Sequence, residues 1–196
     1  MDFFTGMLID KCVLIEEVKR RDTFYSPFFE FLSNNEKTGL VTNNIINGVS
    51  DVLNYISRND REAYRALKKF NGILTFLDHK KIDNESFSKN LDIVNKFIEE
   101  RGQYLGLYKL SRDDTYSRAK RYRQIDECKQ RAEDFRLEDR KVLSQAITLK
   151  PDYSSLFLVT HDKDFVSKRI SDAIRETFEI NCRTPKYIMS NVVPLI

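Results

Sequence analysis

Branched and aromatic residues gather in four short runs, "GMLID" (6–10), "GLVT" (39–42), "LFLVT" (156–160) and "FEINCRT" (178–184), separated by helix-length stretches. Runs this short, apolar throughout and spaced by helices, predict a parallel sheet with helices on both faces. Ser26-Pro27 supplies a cap and an N1 proline for "FFEFLSN" (28–34), and Gly39 marks the entry to the second run. In "NNIINGVSDVLNYI" (43–56), Ile45, Val49, Val52 and Ile56 form one face of a helix, and Asn44, Asn47, Asp51 and Asn54 form the opposite one.

From about residue 59 to 136 the pattern changes and reads as an all-helical insertion within a single domain spanning 1–196. Asn59 with Glu62 makes a capping box for a helix that carries Ala63, Ala66, Leu67, Phe70, Leu74 and Leu77 on one face. Asp83 caps a second, with Phe87, Leu91, Val94 and Ile98 recurring at spacings of four and three and Gly102 as its stop. A third runs from Ser111 to about Arg136.

Composition narrows the class. With 41% hydrophobic residues the chain buries a core, and no run approaches the roughly 18 apolar residues of a membrane span. "MDFFTGMLID" lacks the basic start and long apolar core of a signal peptide, so the expected location is cytoplasmic, with no membrane partner. Cys12, Cys128 and Cys182 are odd in number and without CxxC, which argues for reduced thiols rather than a disulfide framework or a zinc site. A formal net charge of +3 does not by itself call for a polyanionic partner.

Ligands of open parallel sheets sit beyond the carboxyl ends of the strands, near the point where strand order reverses. Asp10 ends the first run, and Asp162 and Asp164 follow the third. Asp139 lies three, four and seven positions before Val142, Leu143 and Ala146, on the helix face that those residues turn toward the sheet. Each acid also has a plainer role: Asp139 as the N-cap of its own helix, Asp162 and Asp164 as caps of the helix after the strand, Asp10 at its strand-to-helix turn. Carboxylates converging on one sheet edge repel one another unless a cation or proton is present, and hard oxygen ligands suit Mg²⁺ or Mn²⁺. No Ser-His-Asp arrangement, P-loop or dinucleotide fingerprint is present, and His161 reads as a bystander.

Four pieces, in order, resemble a PIN domain: "MLIDKCVLIEEV" its opening strand and helix, "LEDRKVLSQAI" its "DALILAAAL" helix, "LFLVTHDKDF" its "LVTxDxDF" strand end, and "FEINCRTPKYI" its closing strand and "TPxxF" tail. The resemblance implies a flavodoxin-like α/β/α sandwich and a metal-dependent endoribonuclease, as in toxins, RNA-processing enzymes or defence nucleases. It implies Asp10, Asp139 and Asp162 as catalytic and metal-site carboxylates, Asp164 as a further metal acid, and Thr160 as support for the strand end. The family's "DTN" reads Asp10-Lys11-Cys12 here; at the offset of its second acid stand Asn47 or Gly48, with Asp51 one turn on. In such a site one or two Mg²⁺ or Mn²⁺ ions would lower the pKa of a bound water and brace the phosphate in an in-line displacement.

RNA would need a basic surface. Arg118, Lys120, Arg121 and Arg123, interleaved with Tyr116 and Tyr122, join cations for phosphates with rings for unpaired bases; the same residues also read as a solvated helix face balanced by Asp126, Glu127, Glu133 and Asp134. Two functions therefore stand: a metal-dependent endoribonuclease, or a degenerate PIN-like module that binds RNA or a protein and cuts nothing. An antitoxin or other protein partner goes with the first, and a symmetric homodimer is the default expectation for either.

Overall fold

The computed structural model describes residues 5–19, 26–35, 39–57, 70, 73–77, 84–105 and 139–192. Five strands, β1 (Thr5–Ile9), β2 (Gly39–Thr42), β3 (Thr75–Leu77), β4 (Ser155–Val159) and β5 (Ile180–Arg183), form one parallel sheet in the order β3-β2-β1-β4-β5. The helices are α1 (Lys11–Lys19), α2 (Ser26–Asn34), α3 (Asn43–Ser57), α4 (Asn84–Leu105), α5 (139–149, continued by a 3₁₀ turn Lys150–Asp152), α6 (Lys163–Val166), α7 (Lys168–Phe178) and α8 (Pro185–Asn191). The expected α/β class with a central parallel sheet stands. Its strand order places the reversal between β1 and β4; flavodoxin's own order is 2-1-3-4-5, so the likeness lies in the layers and not in the order.

The four runs read from the sequence are strands because both of their faces are covered. Met7, Leu8 and Ile9 of the central strand are fully buried, as are Leu156, Leu158 and Val159 beside them. Crossovers of parallel strands are right-handed, so a path that moves one way from β1 to β3 and the other way from β4 to β5 places α1–α3 on one face and α7 on the other. Packing agrees: α1 lies on α3, α7 on β5, and the rings of Phe97 in α4 and Phe178 at the end of α7 meet edge-on at 5.1 Å. Two side-chain bonds tie α5 to α4, Asn90 Nδ2 to Thr148 Oγ1 and Arg140 Nη1 to Asn95 Oδ1, both at 3.0 Å.

Three boundaries differ from the sequence reading. The stretch 59–136 is not all helical, because Thr75–Leu77 is a strand paired with β2 (Leu40↔Thr75, Val41↔Phe76, Thr42↔Leu77). Leu74 and Leu77 keep the helical spacing of Phe70, which hid the strand; the Phe70 carbonyl accepts the Ile73 and Leu74 amides, each at 3.1 Å, and the chain then extends along β2. Helix α4 passes through Gly102 to Leu105, with Val94, Phe97 and Ile98 buried on its inner face. The last strand begins at Ile180, because Phe178 completes α7 and Glu179 caps it in the left-handed region at φ 57°. Residues 59–69, Asp83 and the third expected helix (111–136) lie outside the described residues.

In the tail quoted for the resemblance, Thr184 accepts the Tyr187 amide at 3.2 Å and Pro185 takes the first turn of α8, an N-cap followed by an N1 proline. Among the described residues, no helix is long and apolar enough to cross a membrane.

Candidate functional site

Register decides what meets at the carboxyl end of the two middle strands. Ile9 pairs with Val159, and the pairing continues one step, since the Asp10 amide donates to Val159 O and the Thr160 amide to Arg183 O, both at 3.0 Å. Neighbouring parallel strands in register turn matched side chains to the same face, so Asp10 and Thr160 come together across 150 residues of chain. The Thr160 hydroxyl donates to Asp10 Oδ2 at 2.7 Å and accepts the Asp162 amide at 3.0 Å. Asp10 Oδ1 accepts the Lys11 amide at 2.6 Å, and its carbonyl accepts the amides of Val13 (3.1 Å) and Leu14 (3.5 Å), opening α1.

Cys12 completes this knot. Its thiol donates to Asp10 Oδ2 at 3.2 Å, lies 3.3 Å from Thr160 Oγ1 and accepts the His161 amide at 3.2 Å. Burial first, and then the nearby Asp10 charge, push the thiol up to about 12. At neutral pH Cys12 is therefore a protonated thiol whose hydrogen is directed at Asp10, not a thiolate nucleophile. With only 6% of its surface exposed and three donors on its carboxylate, Asp10 straps β1, β4 and the first turn of α1 together.

The other candidate acids arrive at the ends of neighbouring elements. Asp162 directly precedes α6, its carbonyl accepting the amides of Phe165 (3.1 Å) and Val166 (3.0 Å), whereas the longer helix that Asp162 and Asp164 were expected to cap is α7, whose N-cap is Ser167. Asp139 is half-buried and itself helical in α5, so it stands inside the helix and not at a non-helical cap; Val142, Leu143 and Ala146 below it are buried as the spacing implied. Asp51 lies in α3 and Asp164 in α6, but their side chains are outside the described set, as are Arg118, Lys120, Arg121, Arg123, Tyr116 and Tyr122 altogether. Among the described residues no group of three or more His, Cys, Asp or Glu side chains is placed to hold a metal ion. Asp10, Asp139 and Asp162 therefore do not form such a group among the described residues. Asp10 is drawn inward by its three donors, while Asp162 is set by the start of α6 and Asp139 by α5.

Beside this knot lies a cleft of about 230 Å³ lined by Lys11, Asn44, Ile45, Asn47, Gly48, Phe87, Lys141, Val142 and Gln145. Among the described residues, its polar lining comes from Lys11, Lys141, Asn44, Asn47 and Gln145. The first turn of α3 reaches it because Thr42 Oγ1 accepts the Ile45 amide at 3.4 Å, capping that helix where β2 ends. The same hydroxyl donates to Gln145 Oε1 at 2.9 Å, fastening α5 over the end of β2. Sequence reasoning missed Lys11, Lys141 and Gln145. The available signal was Gln145 itself, a polar residue inside the buried run Val142–Ala146 and only 1% exposed.

Gly48 faces Lys11: a Cβ built there would sit 3.5 Å from Lys11 Cδ, an ordinary van der Waals distance. Gly48→Ala is therefore expected to stabilise the chain by about 0.5–1 kcal/mol, because a helical glycine has more backbone freedom to lose on folding than alanine. Urea unfolding checks this, and a loss of stability instead would show that the Lys11 chain cannot share the space.

Compared with family models, with curated proteins and with solved structures, the chain matches none.

Proposed function

We propose that this chain is a degenerate PIN-like module that binds RNA without cutting it. The observation that carries the reading is the pair Gly48 and Lys11. At the offset where the resemblance calls for a second metal-binding acid there is no acidic side chain, and a lysine stem lies against the bare position. A lysine there adds positive charge where a cation site needs negative charge. The four matching motif pieces support the PIN-like part of the reading. The basic and aromatic stretch Tyr116–Arg123 supports RNA as the partner.

A metal-dependent endoribonuclease remains the second reading, favoured by one observation: Thr160 bonds both the Asp10 carboxylate and the Asp162 amide, so two of the candidate acids share one strand end. Labelled single-stranded RNA incubated with excess purified protein and Mn²⁺ separates the two. Binding that weakens with salt, with no product formed, is the expected result. Replacing Arg118, Arg121 and Arg123 together by alanine should weaken that binding and flatten its salt dependence, by about 0.7 in slope for each phosphate that is no longer neutralised. Cutting that needs Mn²⁺, stops with EDTA and is absent from Asp10→Asn would establish the nuclease instead.

A further inference from the structure

Strand β5 ends the sheet, and its last residue is an arginine held entirely by neutral groups. Arg183 O accepts the Thr160 amide and so faces β4; in a parallel ladder the preceding carbonyl, Cys182 O, then faces the sheet's edge. Arg183 Nη1 turns back onto that carbonyl at 2.8 Å and donates its other hydrogen to Ser171 Oγ of α7 at 2.6 Å. Ser171 is 2% exposed and itself donates to Cys182 O at 3.3 Å, so a buried hydroxyl fixes one end of the guanidinium. The guanidinium carbon lies 4.9 Å from the centre of the Tyr187 ring in α8, a cation–π contact.

Among the described residues no carboxylate pairs with Arg183. Asp172, next to Ser171, pairs with Arg175 at 3.4 Å, and Glu179, just before β5, pairs with Lys150 at 3.5 Å. Both hydrogens of Nη1 are engaged, which leaves the edge formed by Nε and Nη2 without a bond to any described residue. That edge is a planar fork which matches two oxygens of one phosphate side by side. Beside it, Tyr187 is 43% exposed and is the one exposed aromatic among the described residues. Lys186, its neighbour in α8, is exposed too, and that helix carries no acidic residue.

We infer that Arg183 and Tyr187 form a docking point for one nucleotide of single-stranded RNA. A backbone phosphate lies on the Nε–Nη2 edge, the adjoining unpaired base stacks against the exposed part of the Tyr187 ring, and Lys186 adds charge for the next phosphate. The inference rests on the RNA-binding reading and gives the strand a place at the carboxyl end of the sheet, where ligands of open parallel sheets sit. The ring decides between polyanions: an unpaired base stacks on it, whereas the carboxylates of an acidic peptide would occupy the fork alone. Stacking accepts every base and the fork reads only phosphate, so recognition here is independent of sequence.

The test uses the full chain with a fluorescent oligouridylate, an abasic strand of the same length, and uridine monophosphate as the single-nucleotide probe. Tyr187→Ala and Tyr187→Phe keep α8, because the bond to its Thr184 cap is made by the Tyr187 backbone amide. Arg183→Gln is the third variant, checked by circular dichroism and urea midpoint; if it fails to fold, the Tyr187 pair and the Arg183 signal of the parent decide. Binding is followed by anisotropy at several salt concentrations and by the Arg183 Nε–H signal in nitrogen-15 NMR spectra.

In the parent, oligouridylate and uridine monophosphate should both shift the Arg183 signal. Tyr187→Ala should weaken oligouridylate binding by about tenfold, the scale of one base–aromatic stack, and leave the abasic strand unaffected; Tyr187→Phe should bind as the parent does. Arg183→Gln should lower the salt slope by about 0.7 for both strands. Equal RNA binding in the parent and Tyr187→Ala, with an unmoved Arg183 signal, would overturn the docking point and leave the RNA reading intact. A signal shifted by the mononucleotide without any binding of RNA would support the docking point and refute the RNA reading, and a parent that binds neither would overturn both.

Discussion

Asp10→Ala is expected to lower the free energy of unfolding by about 3–5 kcal/mol, the range for removing one partner of a buried, charge-assisted cluster. The carboxylate accepts the Lys11 amide, the Thr160 hydroxyl and the Cys12 thiol, and alanine strands all three donors at a position that is 6% exposed. Asp10→Asn should cost less, about 1–2 kcal/mol, because the amide oxygen can keep the Lys11 bond and the Thr160 hydroxyl can turn to accept from the new NH₂. The direction of the effect is diagnostic. An acid kept to hold a cation is repelled by its neighbours when the cation is absent, so neutralising it stabilises the empty protein. Urea unfolding of metal-free protein decides the matter: a stabilised Asp10→Asn would refute the strap and return Asp10 to a cation site.

The second large effect is a loss of stability in alkali. Burial pushes the Cys182 thiol of β5, which is fully enclosed, up to about 12, and burial with the Asp10 charge does the same to Cys12. Above about pH 9 the unfolded chain releases these protons while the folded chain keeps them, so the unfolded state binds fewer protons and stability falls as pH rises. The stabilisation is complete below pH 9 and disappears toward pH 12, at up to about 1.4 kcal/mol per pH unit for each thiol. Tyr153, raised chiefly by desolvation and then by Asp152, adds to the same trend above its ordinary value of 10.0. Urea midpoints measured under reducing conditions from pH 8 to 10.5 should fall steeply in the parent and much less in Cys12→Ala/Cys182→Ala. Equal slopes in the two proteins would mean that both thiols ionise in the folded state.

These two effects come from contacts that differ in how far they can be read from the chain. Composition and spacing sufficed for β1, β2, β4 and β5, since a run such as "LFLVT" is apolar on both alternating faces and has only one way to be buried, between helices in a sheet. They sufficed for α3 and most of α4, where Ile45 and Val49, or Val94 and Ile98, recur at helical spacing and are buried. They also placed Asp10 at the end of its strand. Strand β3 was not legible, because three residues are too few to show alternation and the leucines around it continue a helical stripe; pairing with β2 makes it a strand.

The site divides in the same way. The sequence by itself determined which residues reach the strand ends, because local pattern sets where strands stop: Asp10, Thr160 and Asp162 were all visible as strand-end residues. Only the tertiary structure decided what they do there. The β1–β4 register puts Thr160 and Cys12 on the Asp10 carboxylate, so this acid ties β1, β4 and the start of α1 together. The packing of α5 over the end of β2 brings Lys141 and Gln145 to the same cleft as Lys11 and the first turns of α3. Those meetings depend on pairings between segments about 100 to 150 residues apart, such as Thr42 with Gln145 and Asp10 with Thr160. Periodicity reports which face of an element is buried, whereas the identity of the partner on that face is set by strand order and register, which no local run of residues contains.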